Sequence, residues 1–235
     1  MKKLCCILLL LASSYTFAQN EVQLPAHGKD TLAFVPKAWR IVARATGDLN
    51  KDAKDDIALV IEDTNKENFI ENESLGARSL NVNPRYLVIL FKDSKGYRLA
   101  ALHKSFIPPE NDEDATCLAD PLLQDGGIDI KKGVLSVDFN YWVSCGSYGV
   151  SHSTYKLRWQ NEQFTLIGYD SSEYSRSLGD ESSISINFIT KKKAITTGGN
   201  MFDETQNKPK TVWKTIKIDK FITLQDLDRS TQIDF

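Results

Sequence analysis

The sequence predicts a mainly β protein made of antiparallel four-stranded meanders, arranged like propeller blades, in one compact unit. Three observations lead there. Apolar runs rich in branched and aromatic residues, at 57–61, 86–91, 134–139, 155–159 and 164–168, are short and separated by polar turns. The order of these runs recurs: strand, loop, strand and hairpin at about 38–104, then the same order at about 126–170, followed by an alternating hairpin at 184–196 and a short terminal stretch. The apolar and aromatic content also suffices for an ordinary core, so the chain does not need a disulfide scaffold. Two and a half blades cannot close a ring that takes about four to eight. The edges must be covered in another way, either by packing the meanders face to face as a sandwich or by shielding an incomplete propeller with loops and terminal segments.

Taken in order, residues 1–18 carry Lys2 and Lys3, an apolar segment and small residues up to Ala18, the pattern of a secretory signal peptide. Cys5 and Cys6 come too early for a lipoprotein cysteine, and no other stretch reaches the length of a membrane span. The expectation is an exported chain, periplasmic or extracellular, with a single β-rich domain over 19–235. The whole chain has 29 basic and 31 acidic residues, and removal of Lys2 and Lys3 leaves 27 against 31, a net charge of −4. Such a domain is a poor partner for nucleic acid. Residues 21–37, with Pro25, Gly28 and Pro36, form an irregular lead-in pinned to the core by Phe34 and Trp39.

The stretch 46–60 is where residue type and spacing specify chemistry. Asp48, Asn50, Asp52 and Asp56 stand at positions 1, 3, 5 and 9 of a loop between two strand-like runs, 40–45 and 57–61. Hard oxygen donors converging from a tight turn suit a hard cation, Ca²⁺ before Mg²⁺. Leu59 occupies the twelfth position, where an EF-hand requires Glu, and the flanks are not helical. The loop resembles instead the integrin-type, or FG-GAP, calcium loop of VCBS-like repeat proteins. That resemblance implies side-chain ligation by Asp48, Asn50, Asp52 and Asp56 and carbonyl ligation by Lys54. The family has Gly after the third ligand, where positive φ is favoured; here Ala53 stands there, at a cost of about 1 kcal/mol. The alternative is a solvated Asp/Asn turn whose side chains bond their own backbone. The layout as a whole resembles exported bacterial proteins with one such loop near the N-terminus, a resemblance that implies no activity.

Residues 62–84, rich in Asn and Glu, read as a long mobile loop, and Asn72-Glu73-Ser74 as a chance sequon. A hairpin follows at 85–102, its first arm apolar enough for burial on both faces. Residues 105–127 break the pattern with Pro108-Pro109 and an acidic group, Glu110, Asp112, Glu113 and Asp114, which reads as a solvated loop rather than a second cation site because its spacing matches no ligand template. In the second meander, Tyr155 and Phe164 stand in the order of Tyr86 and Tyr97 in the first, which suggests two related meanders.

Cys117 and Cys145 are the pair left after export, and a disulfide is the simplest reading; a thiol nucleophile with His103 or His152 as base is the other. The connection 141–152, with Tyr141, Trp142, Tyr148 and His152, suits a protein- or glycan-recognition surface, or else its aromatics cover the core. Ser147, Ser151 and His152 form no nucleophile elbow, and three histidines without ligand spacing speak against a zinc hydrolase. The functional expectation is a non-enzymatic, calcium-binding module of the envelope or exterior with a protein or glycan partner. The competing class is a carboxylate-pair glycosidase, with Asp129 and Asp138 as the acids nearest strands.

Overall fold

The computed structural model describes residues 22–203, 208–229, 231 and 233, so the signal-peptide reading at 1–18 lies outside the described residues. Among the described residues fourteen strands run in chain order: β1 (His27–Gly28), β2 (Trp39–Gly47), β3 (Asp56–Asp63), β4 (Phe69–Glu71), β5 (Ser79–Asn81), β6 (Arg85–Asp93), β7 (Gly96–His103), β8 (Gly127–Lys131), β9 (Val134–Trp142), β10 (Gly149–Gln160), β11 (Gln163–Ser175), β12 (Asp180–Asn187), β13 (Lys192–Asn200) and β14 (Lys210–Thr215). The protein is mainly β, as the alternation and turn spacing predict. One antiparallel sheet has the order β1-β7-β6-β3-β2; a second is an uninterrupted seven-stranded meander from β8 to β14. The C-terminal hairpin thus continues the second meander edge to edge.

Strands β3 and β6 are apolar on both faces, and each face has its own cover. Ile57, Leu59, Ile61, Val88 and Leu90 face Phe34, whose 3-10 turn (Thr31–Phe34) is capped by Asp30 accepting from Ala33 N at 3.1 Å. Leu24, Trp39, Tyr86 and Tyr97 complete that outer layer, with Trp39 and Tyr86 ring centroids 4.6 Å apart. Ala58, Val60, Leu87, Ile89 and Phe91 look the other way, into a core shared with Leu135, Val137, Phe139, Tyr155, Leu157, Phe164 and Leu166 of the second sheet. Phe91 meets Trp159 edge to face at 4.9 Å, and Phe106 meets Tyr155 in the same way at 5.1 Å. Two sheets therefore stack over one core. Where their edges converge, Gly47 lies against Ile130; a Cβ at position 47 would come within 2.7 Å of Ile130 Cγ2, so any larger residue forces the edges apart.

Two details differ from the sequence reading. The matched aromatics do not correspond: Tyr86 and Tyr97 belong to the outer layer of the first sheet, whereas Tyr155 and Phe164 belong to the inter-sheet core. Strand alternation, which has only two phases, reproduced an order of aromatics without reproducing their faces. The stretch 62–84 is also more structured than composition suggests. It contains the β4–β5 hairpin and ends in Asn83, fully buried, whose amide bonds Asn81 and the Asn65 carbonyl.

Cys117 and Cys145 form a disulfide, with Cα atoms 5.6 Å apart, tying the 104–126 connection to the loop between β9 and β10. A bridge between Leu118 and Val143 lies beside it. Among the described residues no helix is long and apolar enough to cross a membrane. Replacing both cysteines with alanine frees a loop with a sequence separation of 28, and by chain entropy should lower stability by about 3 to 4 kcal/mol. Urea midpoints of the double variant and the parent, measured without reductant, test this.

Candidate functional site

The β2–β3 loop is built on its own carboxylates. Asp48 Oδ1 accepts from Lys51 N at 2.6 Å and Asp52 N at 3.2 Å, and its Oδ2 accepts from Ala53 N at 3.0 Å. Asn50 Oδ1 accepts from Asp52 N at 2.9 Å, and Asp52 Oδ1 from Lys54 N at 3.0 Å. This ladder turns the chain through two left-handed residues, Lys51 (φ 66°) and Ala53 (φ 63°). The sequence comparison with the calcium-loop pattern placed the backbone penalty at Ala53, and the backbone there is left-handed. The Lys54 ammonium bonds Asp52 Oδ2 at 3.1 Å and holds that carboxyl below its ordinary range.

Asp56 is different in kind. It is fully buried, its Oδ2 accepts from Leu49 N at 2.9 Å and Asn50 N at 3.2 Å, and its Oδ1 accepts from Lys92 N at 2.9 Å. Burial pushes its carboxyl up, while the three N–H groups act in the opposite sense. Asp56 thus fastens the start of the loop to β6, and Leu49 beside it is plugged into the inter-sheet core. Tested as a cation site, the loop divides. Asp48, Asn50 and Asp52 are on its accessible side and, with the Lys54 carbonyl, are hard donors of the right kind. Asp48 and Asp56 each accept from three backbone N–H groups, and Asp56 differs in being fully buried. Among the described residues no group of three or more His, Cys, Asp or Glu converges as a metal cluster, so a cation here depends on the Asn50 amide and backbone carbonyl as much as on carboxylates.

The other sequence candidates are dispersed. The Cys117–Cys145 bond leaves no thiol for a nucleophile. His103 is buried, its Nδ1 accepting from Phe106 N at 3.1 Å; His152 is half-exposed, with Nε2 3.7 Å from Asp138 Oδ1. Asp138 accepts from Thr154 Oγ1 and, like Asp129 on the neighbouring strand, points to the outward face of the second sheet, since Leu135, Val137 and Phe139 point inward. Trp142 is covered by the Arg176 guanidinium at 4.1 Å, and Arg176 Nη2 donates to the Val143 and Ser147 carbonyls, riveting the 141–152 connection. Tyr148 remains exposed.

Sequence reasoning missed a cluster of buried charges at the other end of β3. Glu62 and Arg85 are cross-strand partners at the ends of β3 and β6, each about 1% exposed. Arg85 Nε donates to Glu62 Oε2 at 2.6 Å, and its two terminal nitrogens fork onto Asp120, each at 2.8 Å. Burial works against the guanidinium charge, yet Asp120 and Glu62 outweigh it and raise the Arg85 pKa. Arg40 Nε donates to Glu62 Oε1 at 2.9 Å; Asn81 Nδ2 reaches Glu62 at 3.2 Å and Glu110 at 2.9 Å. The signal available in sequence was a Glu closing one apolar run and an Arg opening the next.

Compared with known proteins, the chain matches no family model, and no curated protein or solved structure is significantly similar to it.

Two outcomes follow. Asp56→Ala should cost about 3 kcal/mol or more in chelator, because it strands three N–H groups; denaturant midpoints measure it. Burial depresses the His103 pKa, opposed by Asp228 and by the hydrogen bond to Leu227. Its contribution to stability is complete above the unfolded value of about 6.5 and is lost as pH falls from there through the depressed folded value, since the unfolded chain takes up the proton first. Urea midpoints between pH 8 and pH 5 should show that slope, and His103→Gln should flatten it.

Proposed function

We propose that the chain is an exported, non-enzymatic binding or structural module of the cell envelope or exterior, stabilised by one Ca²⁺ in the β2–β3 loop. Asp48, Asn50, Asp52 and the Lys54 carbonyl supply the donors, and Asp56 braces the loop from beneath. The observation that carries the reading is the side-chain ladder with left-handed Lys51 and Ala53, which points three oxygen-bearing side chains around one short turn. The disulfide is compatible with an oxidising, exported setting, periplasmic or extracellular. The net charge of −4 after leader removal favours a protein or glycan partner over nucleic acid. No observation favours the glycosidase reading, because Asp129 and Asp138 lie on an outward sheet face rather than facing one another across a cleft.

The experiment is a thermal melt of the mature chain in chelator and in millimolar calcium. Binding to the folded state alone stabilises by RT ln(1 + [L]/Kd), about 2.7 kcal/mol at about 100 times Kd. Asp48→Ala should abolish the shift, and Ala53→Gly should enlarge it by relieving about 1 kcal/mol of backbone penalty. A melt that does not move would assign the ladder to turn chemistry alone.

A further inference from the structure

At the end of β3 and β6 remote from the acidic loop, the buried ion network forms the floor of a cavity of about 460 Å³. Arg40, Glu62, Lys66, Phe69, Asn81 and Glu110 are among its lining residues. The volume falls in the range of about 300–1,000 Å³ typical of small-ligand sites. Three features bear on what it holds.

Its polar groups are fixed in advance. Glu62 and Asn81 are 1% and 4% exposed, and the carboxylates, guanidinium and amide are bonded to one another, so their planes are set before any ligand arrives. Charge is balanced as well. The accessible charges are two of each sign, Arg40 and Lys66 against Asp63 and Glu110, with Arg40 3.8 Å from Glu110, while Glu62 lies buried beneath them and is paired with Arg85 as well as Arg40. A cation meets Arg40 and Lys66, an anion meets Glu110 and Asp63, and neither finds an uncompensated partner. Finally, Phe69, on the short β4 strand, is 46% exposed, a large apolar ring presented beside polar groups.

A ligand matching all three is neutral, has hydroxyls that both donate and accept, and carries one face of C–H groups. We propose that this cavity binds a neutral carbohydrate, with a pyranose ring against Phe69 and its hydroxyls exchanging hydrogen bonds with Arg40 and Glu110, above the buried Asn81 amide. The proposal rests on the reading of the chain as a binding module and is independent of calcium. Asp56 and Glu62 are six residues apart on one strand, about 20 Å at strand rise, so the two sites are separate.

The test is a nitrogen-15 NMR titration of the mature chain in chelator with methyl β-glucopyranoside, methyl β-galactopyranoside and methyl α-mannopyranoside, each at millimolar concentration. At least one glycoside should shift the Asn81 side-chain amide and the Arg40 Nε–H saturably. Phe69→Ala and Glu110→Gln should each weaken that binding about tenfold or more, Phe69→Ala with the melting temperature unchanged because the ring is largely exposed, and Glu110→Gln with a folded-state spectrum retained. The proposal is overturned if no glycoside moves these resonances, if the titration is as tight in Phe69→Ala, or if ammonium or phosphate gives the same shifts and displaces the sugar. A calcium-dependent melt alongside a silent sugar titration would overturn this inference alone.

Discussion

Strands β3 and β6 cannot tolerate water on either side, and that constraint organises the molecule. One face requires the second sheet, the other requires the lead-in segment with Phe34, so three layers form around a pair of strands only eight and nine residues long. The polar ends of these strands then have to be satisfied within the protein. At one end Asp56 accepts from Lys92 N, and at the other Glu62 pairs with Arg85. Both acids lie on the same face of β3 as Ala58 and Val60, and both reach across to β6. A slip of one residue would move each acid to the outer layer and bury it without its partner, so the two charged contacts fix the register that the apolar residues require.

Much of this was legible because it depends on local pattern. Branched apolar runs between polar turns gave the strands, the unbroken run at 86–91 gave burial on both faces, and the cysteine pair gave the disulfide. The calcium-loop comparison gave the left-handed backbone at Ala53, because a ladder of Asp and Asn at alternate positions bonds N–H groups two to five residues ahead. What was not legible depends on partners far along the chain. Asp56 bonds Lys92, 36 residues away, and Arg85 bonds Asp120, 35 residues away; no spacing rule reports contacts of that kind. The acidic group at 110–114 read as one solvated loop, yet Glu110 belongs to the buried network through Asn81 while Asp112 caps its own turn. The recurrence of aromatics misled for a related reason: order along the chain carries no phase, and phase decides which face a residue takes.

The network also explains why long connections can be ordered with little apolar content. Residues 62–84 and 104–126 leave the first sheet at neighbouring points, and each contributes to the same charged cluster, Asn81 and Asn83 from one and Glu110 and Asp120 from the other. Asn111 adds a further tie, its Oδ1 accepting from Asn81 N at 2.8 Å. Hydrogen bonds to charged groups contribute about 1.5–3 kcal/mol each when made and cost more when one partner is stranded. Two loops converging on one such cluster therefore order each other, and the disulfide then holds the second against the far sheet.

The same reasoning bears on the β2–β3 loop. Lys51 and Ala53 are both left-handed without being glycine, each at a cost of about 1 kcal/mol. That strain persists because Asp48 collects three N–H groups across it and Asp56 anchors its first residues to β6 from a buried position. The turn is consequently formed by protein contacts alone. A cation entering such a loop would not have to fold it, which spares the ordering cost. It would still meet the Lys54 ammonium on Asp52 and would have to displace it. Preorganisation would raise affinity and the resident lysine would lower it, so on the proposed reading calcium would be held only where calcium is abundant.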